Sequence, residues 1–288
     1  MKNYLSLVKF SHTIFAMPFA LTGFFLAVLE HKSGLNWILL GLVVLCMVFA
    51  RSAAMAFNRW LDRDIDAGNP RTAVREIPAG VISPNAALAF VVANCGLFVV
   101  TTFFINPICF YLSPVALLVI LGYSYTKRFT WLCHFVLGLG LALAPVGAYL
   151  AVTGYFSWPP VLLGCTVLTW VAGFDIIYAL QDESFDRSKQ LHSVPVLLGT
   201  KNALRLSELL HLCTATLLLV AVYLIQQHYG SDISWIIWIG VAVFLSLLFY
   251  QHTLVKYNDL SKVNMAFFTT NGVASMVFGV LAILDFWV

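Results

Sequence analysis

Residues 86–126 read AALAFVVANCGLFVVTTFFINPICFYLSPVALLVILGYSYT and include no charged side chain. A helix that crosses the hydrocarbon core of a bilayer needs about 20 apolar residues, so this stretch is too long for one crossing. Asn106-Pro107 lies in its middle, and proline disfavours helix in the residue before it. The stretch therefore predicts two membrane-spanning helices, one on either side of this pair.

The same apolar character runs through the whole chain. Of its 288 residues, 61% are hydrophobic and 10% are charged, whereas a soluble domain has about 25% charged residues. This composition excludes a soluble globular protein, a disordered chain and a nucleic-acid binder. It predicts an all-α polytopic membrane protein that forms a single domain over 1–288. The bundle of about nine transmembrane helices is expected to enclose a central cavity that opens near the cytoplasmic face. The predicted spans are 10–29, 37–57, 86–105, 108–126, 131–153, 159–181, 208–227, 233–254 and 264–287.

The basic residues predict the orientation of this bundle. With nine spans, 15 of the 16 Lys and Arg residues fall on one side, and Lys32 alone falls on the other. Loops rich in Lys and Arg face the cytoplasm, so we expect a multi-pass protein of the cell (inner) membrane. Its N-terminus would be cytoplasmic and its C-terminus would lie on the opposite side. The cytoplasmic cap then consists of the loops 58–85, 127–130 and 182–207.

Carboxylates cluster where two of the predicted spans end at this cap. Asn58, Asp62 and Asp66 follow the second span at intervals of four residues, which keeps all three on one face of a helix. A second set continues the sixth span and again shares one helical face; it consists of Asp175, Asp182 and Asp186. Carboxylates crowded on one face repel one another unless they take up protons or bind a cation. Mg²⁺ favours one or two carboxylates together with phosphate oxygens and water, so two opposed faces predict two Mg²⁺ ions that bridge a diphosphate. The alternative interpretation is that these acids are surface charges at helix ends.

Basic and phenolic side chains accompany both clusters. A departing diphosphate needs cationic and hydrogen-bonding partners beyond metal ions, and the residues predicted for this role are Arg71, Arg75, Tyr123, Lys127 and Lys189. Taken singly, each basic residue is also an ordinary member of a positively charged loop. Arg51 and Arg63 are possible additions. Arg51 lies within the second span, where its charge either snorkels towards water or faces a polar site.

Together these motifs resemble the UbiA superfamily of intramembrane prenyltransferases. Four elements carry the resemblance: N-x-x-x-D-x-x-x-D at 58–66, D-x-x-x-D at 182–186 with Asp175 and Tyr178 upstream, Y-x-x-x-K at 123–127, and NPRTAVREIPAG at 69–80. The last element and KFSHTIFA at 9–16 look most like bacterial sequences of the 4-hydroxybenzoate polyprenyltransferase type. Arg59 departs from the pattern, because many members have an aspartate there. Asp62 and Asp66 would then carry more of that metal site.

The resemblance implies a Mg²⁺-dependent aromatic prenyltransferase. Asn58, Asp62 and Asp66 would hold one ion, and Asp182 with Asp186 the other, so that the two ions bridge the diphosphate of a polyprenyl donor. Ionisation would leave an allylic carbocation, which an electron-rich phenolic ring attacks. A hydrophobic cavity within the bilayer would hold the isoprenoid tail.

The same resemblance implies catalytic roles for Lys127, Asp175 and Tyr178. Lys127 would stabilise the departing charge, and Asp175 would orient or deprotonate the acceptor or anchor a network with Tyr178. The acceptor it favours is 4-hydroxybenzoate, in ubiquinone synthesis, with a dihydroxynaphthoate, in menaquinone synthesis, as the alternative. An ion-coupled transporter is the alternative from another class. Transporter sites tend to lie at the bilayer midplane, however, and here only Asp175 lies at any depth.

Overall fold

The computed structural model describes residues 2–8, 15–32 and 34–287, and in that part of the chain the regular structure is helical apart from one isolated β-bridge between Lys256 and Asp259. The predicted all-α class is confirmed. The α-helices are α1 (Lys2–Leu7), α2 (Met17–His31), α3 (Trp37–Leu61), α4 (Arg63–Ala67), α5 (Pro84–Phe103), α6 (Pro107–Thr126), α7 (Cys133–Thr153), α8 (Trp158–Ala179), α9 (Glu183–Ser188), α10 (Val194–Tyr229), α11 (Ile236–Leu254) and α12 (Asn271–Trp287).

The apolar helices follow the predicted order of spans. Within the described ranges, eight helical stretches are long and apolar enough to cross a membrane, and α2 is a shorter apolar helix. The predicted first span, 10–29, begins in residues 10–14, which lie outside the described residues, as does Lys9. The architecture is that of a polytopic membrane protein.

The break predicted at Asn106-Pro107 separates α5 from α6. The Asn106 side chain caps α6, because its Oδ1 accepts a hydrogen bond from the Cys109 N–H at 2.9 Å. Its Nδ2 donates to the carbonyls of Leu150 and Ala151 at 2.8 and 3.1 Å. One polar residue therefore both starts α6 and fastens it to the end of α7.

The seventh predicted span, 208–227, starts much earlier in the structure, because α10 begins at Val194. Ser193 caps this helix with an acceptor for the Val196 N–H, and Gly199 interrupts it with φ 72° and ψ 162°. The polar residues that made this segment resemble a loop form the exposed face of an amphipathic helix, while Ala203, Leu204 and Ser207 are buried. Much of the predicted 182–207 loop is therefore helical.

Helices pack closely where glycine faces a neighbouring backbone. A Cβ on Gly23 of α2 would lie 2.2 Å from the Pro145 carbonyl oxygen of α7. A Cβ on Gly138 of α7 would lie 2.4 Å from the Leu168 carbonyl oxygen of α8. Small residues at such crossings let membrane helices approach until their backbones touch.

The two sides of the bundle differ in the number of side chains that are buried. An aromatic core joins α2, α8, α11 and α12, in which the Trp170 ring lies 5.4 Å from Phe19 and 5.3 Å from Phe244 between centroids. By contrast, the only buried side chains of α6 are Ser113, Ser124 and Thr126. The hydrophobic core therefore sits on the side of α8, and α6 lies at the periphery.

A π-helical turn, Met265–Thr270, precedes α12. Asn271 holds it in place: its Nδ2 donates to the carbonyls of Ala266 and Phe267, both at 3.0 Å, and its Oδ1 accepts from the indole N–H of Trp170 at 2.9 Å. Such turns are rare and often mark functional sites. This one brings Phe267 and Phe268 to the cavity described next.

Candidate active site

A cavity of about 290 Å³ opens at the end of the bundle where α3, α6 and α8 terminate. The sequence-predicted residues that line it are Arg51, Asn58, Asp62, Asp66, Arg71, Arg75, Tyr123, Lys127, Asp175, Tyr178, Asp182 and Asp186. Lys189 and Arg63 are not in this lining. Lys189 lies beside Gly68, and Arg63 binds the Trp60 carbonyl at 2.8 Å. The structure therefore brings together residues from both halves of the chain around one space.

The first carboxylate motif spans two helices. Since α3 ends at Leu61, Asp62 occupies its C-cap and Asp66 lies on the short helix α4. The Asn58 Nδ2 donates to Asp62 Oδ2 at 3.2 Å, but the prediction that Asn58, Asp62 and Asp66 share the face of one helix is wrong, because the helix ends at Leu61. Asp66 is 5% exposed, and its two oxygens accept from Arg75 Nη1 at 2.8 and 2.7 Å.

The second motif follows α8 through a 3-10 turn, Leu180–Asp182, into α9. Asp182 accepts from Arg71 Nε at 3.0 Å and from Arg71 Nη2, and from Asn69 Nδ2 at 3.0 Å. Asp186 is 1% exposed, and its Oδ1 lies 2.8 Å from Lys127 Nζ. Both acids thus sit at the rim of the cavity, each against a cation predicted to bind diphosphate.

Arg128 and Asn69 are site residues that the sequence reasoning missed. Arg128 Nη2 donates to Asp62 Oδ1 at 2.8 Å and to the Leu61 carbonyl at 3.1 Å, and Nη1 donates to the Ser124 carbonyl at 3.0 Å. It therefore joins the ends of α3 and α6. Two features of the sequence could have indicated these residues: Arg128 directly follows Lys127, and Asn69 is the first residue of the 69–80 segment.

Burial and these ion pairs act on the charges in opposite directions. Burial raises the pKa of Asp62 above its ordinary value, although the nearby Arg128 opposes this shift. Burial also acts to lower the pKa of Arg71, but the hydrogen bond and charge of Asp182 outweigh it and raise that pKa. At the cavity rim, burial therefore disfavours the charged form of each side chain, and the adjacent opposite charge favours it.

The carboxylates fit Mg²⁺ as ligands that share the ion with a substrate. Within the described residues, no group of three or more His, Cys, Asp or Glu side chains is close enough to form a metal site alone. Mg²⁺ does not require such a cage, because it is usually bound by one or two carboxylates plus phosphate oxygens and water. Asp186 Oδ2 is buried and has no hydrogen-bond partner among the described residues, so it is free to act as a ligand.

Asp175 lies deeper and pairs with a histidine. Its Oδ2 is 2.7 Å from His134 Nδ1, while His134 Nε2 accepts the Val194 N–H at 3.3 Å. A nitrogen that accepts a backbone N–H carries no proton, so neutral His134 donates from Nδ1 to Asp175. The predicted partner Tyr178 is bound elsewhere: its hydroxyl accepts from Arg71 Nη1 at 3.0 Å. Sequence spacing gave no sign of His134, because it lies on a different helix.

A second cavity of about 360 Å³ extends from the first between α3, α6 and α7, with a mostly apolar lining. The residues shared by both linings are Arg51, Met55, Tyr123, Leu137 and Leu141. Arg51 stands at this junction, and its buried Nε has no hydrogen-bond partner among the described residues. The first cavity, the polar chamber, can hold a charged group. It leads into the second, the apolar cavity, which can hold a hydrocarbon chain.

Comparison with known proteins identifies the class. A model of the UbiA prenyltransferase family matches residues 16–273. The chain belongs to this family, as its motifs suggested, and is a prenyl-transferring enzyme of the membrane.

Similar proteins agree with this assignment. The chain is 31% identical over 245 residues to a 4-hydroxybenzoate octaprenyltransferase of Aliivibrio salmonicida, covering 84% of this chain and 83% of the relative. It is 30% identical over 243 residues to one of Saccharophagus degradans, covering 84% and 79%. The apo structure of a UbiA homologue from Aeropyrum pernix K1 superposes with a TM-score of 0.83 at 31% identity, covering 95% of this chain and 98% of that one. A UbiA homologue from Archaeoglobus fulgidus, solved bound to GPP and Mg²⁺, shares the fold with a TM-score of 0.74 at 20% identity, covering 99% and 100%.

Proposed function

We propose that this enzyme transfers a polyprenyl chain from a polyprenyl diphosphate to 4-hydroxybenzoate, with Mg²⁺, in respiratory quinone biosynthesis. The observation that carries the proposal is the polar chamber, in which four carboxylates paired with Arg or Lys, and a fifth, Asp175, surround one space that continues into an apolar cavity. That combination matches a substrate with a diphosphate head and a hydrocarbon tail. The names of the similar proteins support the choice of acceptor.

Two Mg²⁺ ions would be held on opposite sides of the chamber. Asn58, Asp62 and Asp66 provide one set of oxygen ligands, and Asp182 with Asp186 provides the other. When bound, the ions supply neutralisation of the diphosphate charge as the bond between its oxygen and the prenyl C1 breaks.

The cations of the chamber then stabilise the leaving group. Arg71, Arg75 and Lys127 each lie against a carboxylate and line the chamber. Their guanidinium and ammonium groups would bind the diphosphate oxygens where negative charge develops. Tyr123 lines both cavities, where its hydroxyl can contact the diphosphate. Lys189 lies outside the cavity lining, beside Gly68, and would add positive charge near the entrance of the chamber.

The acceptor would bind at the junction of the two cavities. Its ring attacks the prenyl C1, a carbon–carbon bond forms, and the ring proton leaves. Asp175, oriented by His134, is the deepest carboxylate of the chamber and would receive a proton from the acceptor. Arg51 would bind the acceptor carboxylate, which supplies the counter-charge that its buried guanidinium lacks.

We place the chamber on the cytoplasmic side of the cell membrane, with the C-terminus on the other side. The distribution of Lys and Arg supports this orientation, since 15 of 16 belong to the side that carries the chamber.

An acceptor screen with purified enzyme in detergent tests the proposal. One polyprenyl diphosphate is supplied with and without Mg²⁺, together with 4-hydroxybenzoate or a dihydroxynaphthoate, and both diphosphate release and prenylated product are measured. Mg²⁺-dependent product from 4-hydroxybenzoate is expected. Product from the dihydroxynaphthoate alone would make that compound, and not 4-hydroxybenzoate, the acceptor. Folded enzyme that neither binds the diphosphate nor forms product would overturn the proposal.

A further inference from the structure

Arg59 and Glu76 form an ion pair that ties the loop 69–82 to the end of α3. Arg59 is 3% exposed, and its Nη1 donates to Oε2 of Glu76, whose side chain is itself mostly buried. The other Glu76 oxygen accepts a hydrogen bond from the Ser6 hydroxyl of α1. A buried guanidinium that loses its counter-charge is costly, so the loop is held where Glu76 reaches Arg59.

The loop held in this way carries two arginines of the polar chamber. Arg75 directly precedes Glu76 and binds both oxygens of Asp66. Arg71 binds Asp182 on the opposite side of the chamber. A displacement of Glu76 from Arg59 would therefore move a cation that faces the diphosphate position.

Apolar packing joins the far end of the loop to its neighbours. Ile77 and Ile82 are 6% and 5% exposed and pack in one cluster with Leu7 of α1 and with Val91 of α5. Such contacts are non-directional and specify no particular register. The ion pair to Arg59 is directional, and it sets where the loop meets α3.

We propose that Arg59 and Glu76 are a positioning pair for diphosphate binding. They act through Arg71 and Arg75, because the guanidinium of Arg59, although it lines the chamber, is paired with Glu76. The inference rests on the proposed function, because it takes these two arginines to bind the diphosphate. Arg59 thus fixes the position of the loop 69–82, whereas an aspartate at this position could have been a metal ligand.

Glu76→Gln removes the charge of the pair while keeping its shape. The dissociation constant of inorganic diphosphate with Mg²⁺, measured by isothermal titration, should rise about tenfold, as should KM for the polyprenyl diphosphate, with kcat within about twofold of wild type. Trypsin should cleave after Arg71 or Arg75 faster than in wild type, because the loop separates more often from α3. Glu208→Gln, at an exposed position of α10, is the matched control and should change none of these values.

The double variant Arg59→Met/Glu76→Leu separates positioning from stability. Replacing a buried ion pair by apolar residues preserves stability in other proteins, so its Tm should be close to that of wild type. Its diphosphate affinity should nevertheless stay about tenfold weaker, because the directional contact is gone. If this folded double variant has wild-type diphosphate affinity and wild-type trypsin sensitivity, the inference is overturned. The double variant therefore tests the inference even where Glu76→Gln fails to fold. Wild-type enzyme that binds no diphosphate would instead count against the proposed function.

Discussion

At the scale of single residues, the candidate site consists of acids and bases that compensate one another. The sequence predicted acids for metal ions and cations for a diphosphate, and the structure places Asp66 against Arg75 and Asp186 against Lys127. Helical spacing could assign the residues of each motif to a face. It could not give the partners, because a pair such as Arg71 and Asp182 joins positions 111 residues apart.

Asp62→Ala and Asp182→Ala should each abolish turnover. Each change removes a proposed Mg²⁺ ligand and leaves a guanidinium, Arg128 or Arg71, without its carboxylate. We expect product formation at saturating Mg²⁺ to fall more than about 1,000-fold, with expression and the circular dichroism spectrum retained. Asp64→Ala, at an exposed position between the motif residues, is the control. Unchanged turnover in either site variant would contradict the two-metal assignment.

Lys127→Ala should have a milder effect. Its ammonium is one of several cations in the chamber, so its loss weakens donor binding without removing a metal ligand. We expect KM for the polyprenyl diphosphate to rise about tenfold, measured at fixed saturating acceptor. A loss as complete as that of Asp182→Ala would show that Lys127 does more than bind the donor.

Arg51→Met should impair use of the acceptor selectively. The proposed contact is between the guanidinium and a carboxylate, so KM for 4-hydroxybenzoate should rise about 10- to 100-fold. A phenol without the carboxyl group should react equally poorly with wild type and variant. Steady-state assays with both acceptors at saturating donor make this comparison, and equal losses for the two would assign Arg51 to the donor side.

At the scale of helices, apolar runs and their interruptions predicted most elements. The Asn106-Pro107 break appeared where expected, because a polar cap and a proline act locally. The early start of α10 at Val194 could not be predicted in the same way, since the exposed face of an amphipathic helix has the composition of a loop. The Met265–Thr270 π turn depends on Asn271 and Trp170, which meet only in the folded bundle.

Gly138→Ala should destabilise the bundle without touching the site. The added Cβ would meet the Leu168 carbonyl at 2.4 Å, so α7 and α8 must separate. Overpacking of this kind costs about 1–3 kcal/mol, which should lower the Tm in detergent. Gly41→Ala is the control, because a Cβ at this position would meet no atom of another helix within 4 Å. An unchanged Tm for Gly138→Ala would mean that the crossing is looser than described.

At the scale of the whole molecule, charge asymmetry brings the site residues to one end. The bundle must keep its lipid-facing surface apolar, so the chemistry-bearing charges gather at its ends. This is why carboxylate motifs at the ends of two predicted spans indicated the end of the bundle that carries the chamber. The same motifs gave no information about the shape of the apolar cavity, which depends on how α3, α6 and α7 pack.

Removal of Mg²⁺ should stop the reaction and leave the fold intact. In the described chain an Arg or Lys lies against each of the four carboxylates proposed to bind Mg²⁺, Asp62, Asp66, Asp182 and Asp186, so these acids do not need the ion for charge balance. Treatment with EDTA should abolish product formation and shift the Tm by less than about 2 °C, and added Mg²⁺ should restore activity. A large fall in Tm would assign the metal a structural role.

The peripheral position of α6 has a mechanical consequence for the donor. This helix forms a wall of the apolar cavity, yet few of its own side chains are buried by protein. The opposite wall rests on the aromatic core, so protein side chains pack behind one wall of the cavity and few pack behind the other. A wall with little protein behind it sets no fixed limit on the length of the bound chain. We therefore expect the enzyme to accept donors of several chain lengths at similar rates, and the length attached in the cell to follow from which diphosphate the membrane supplies.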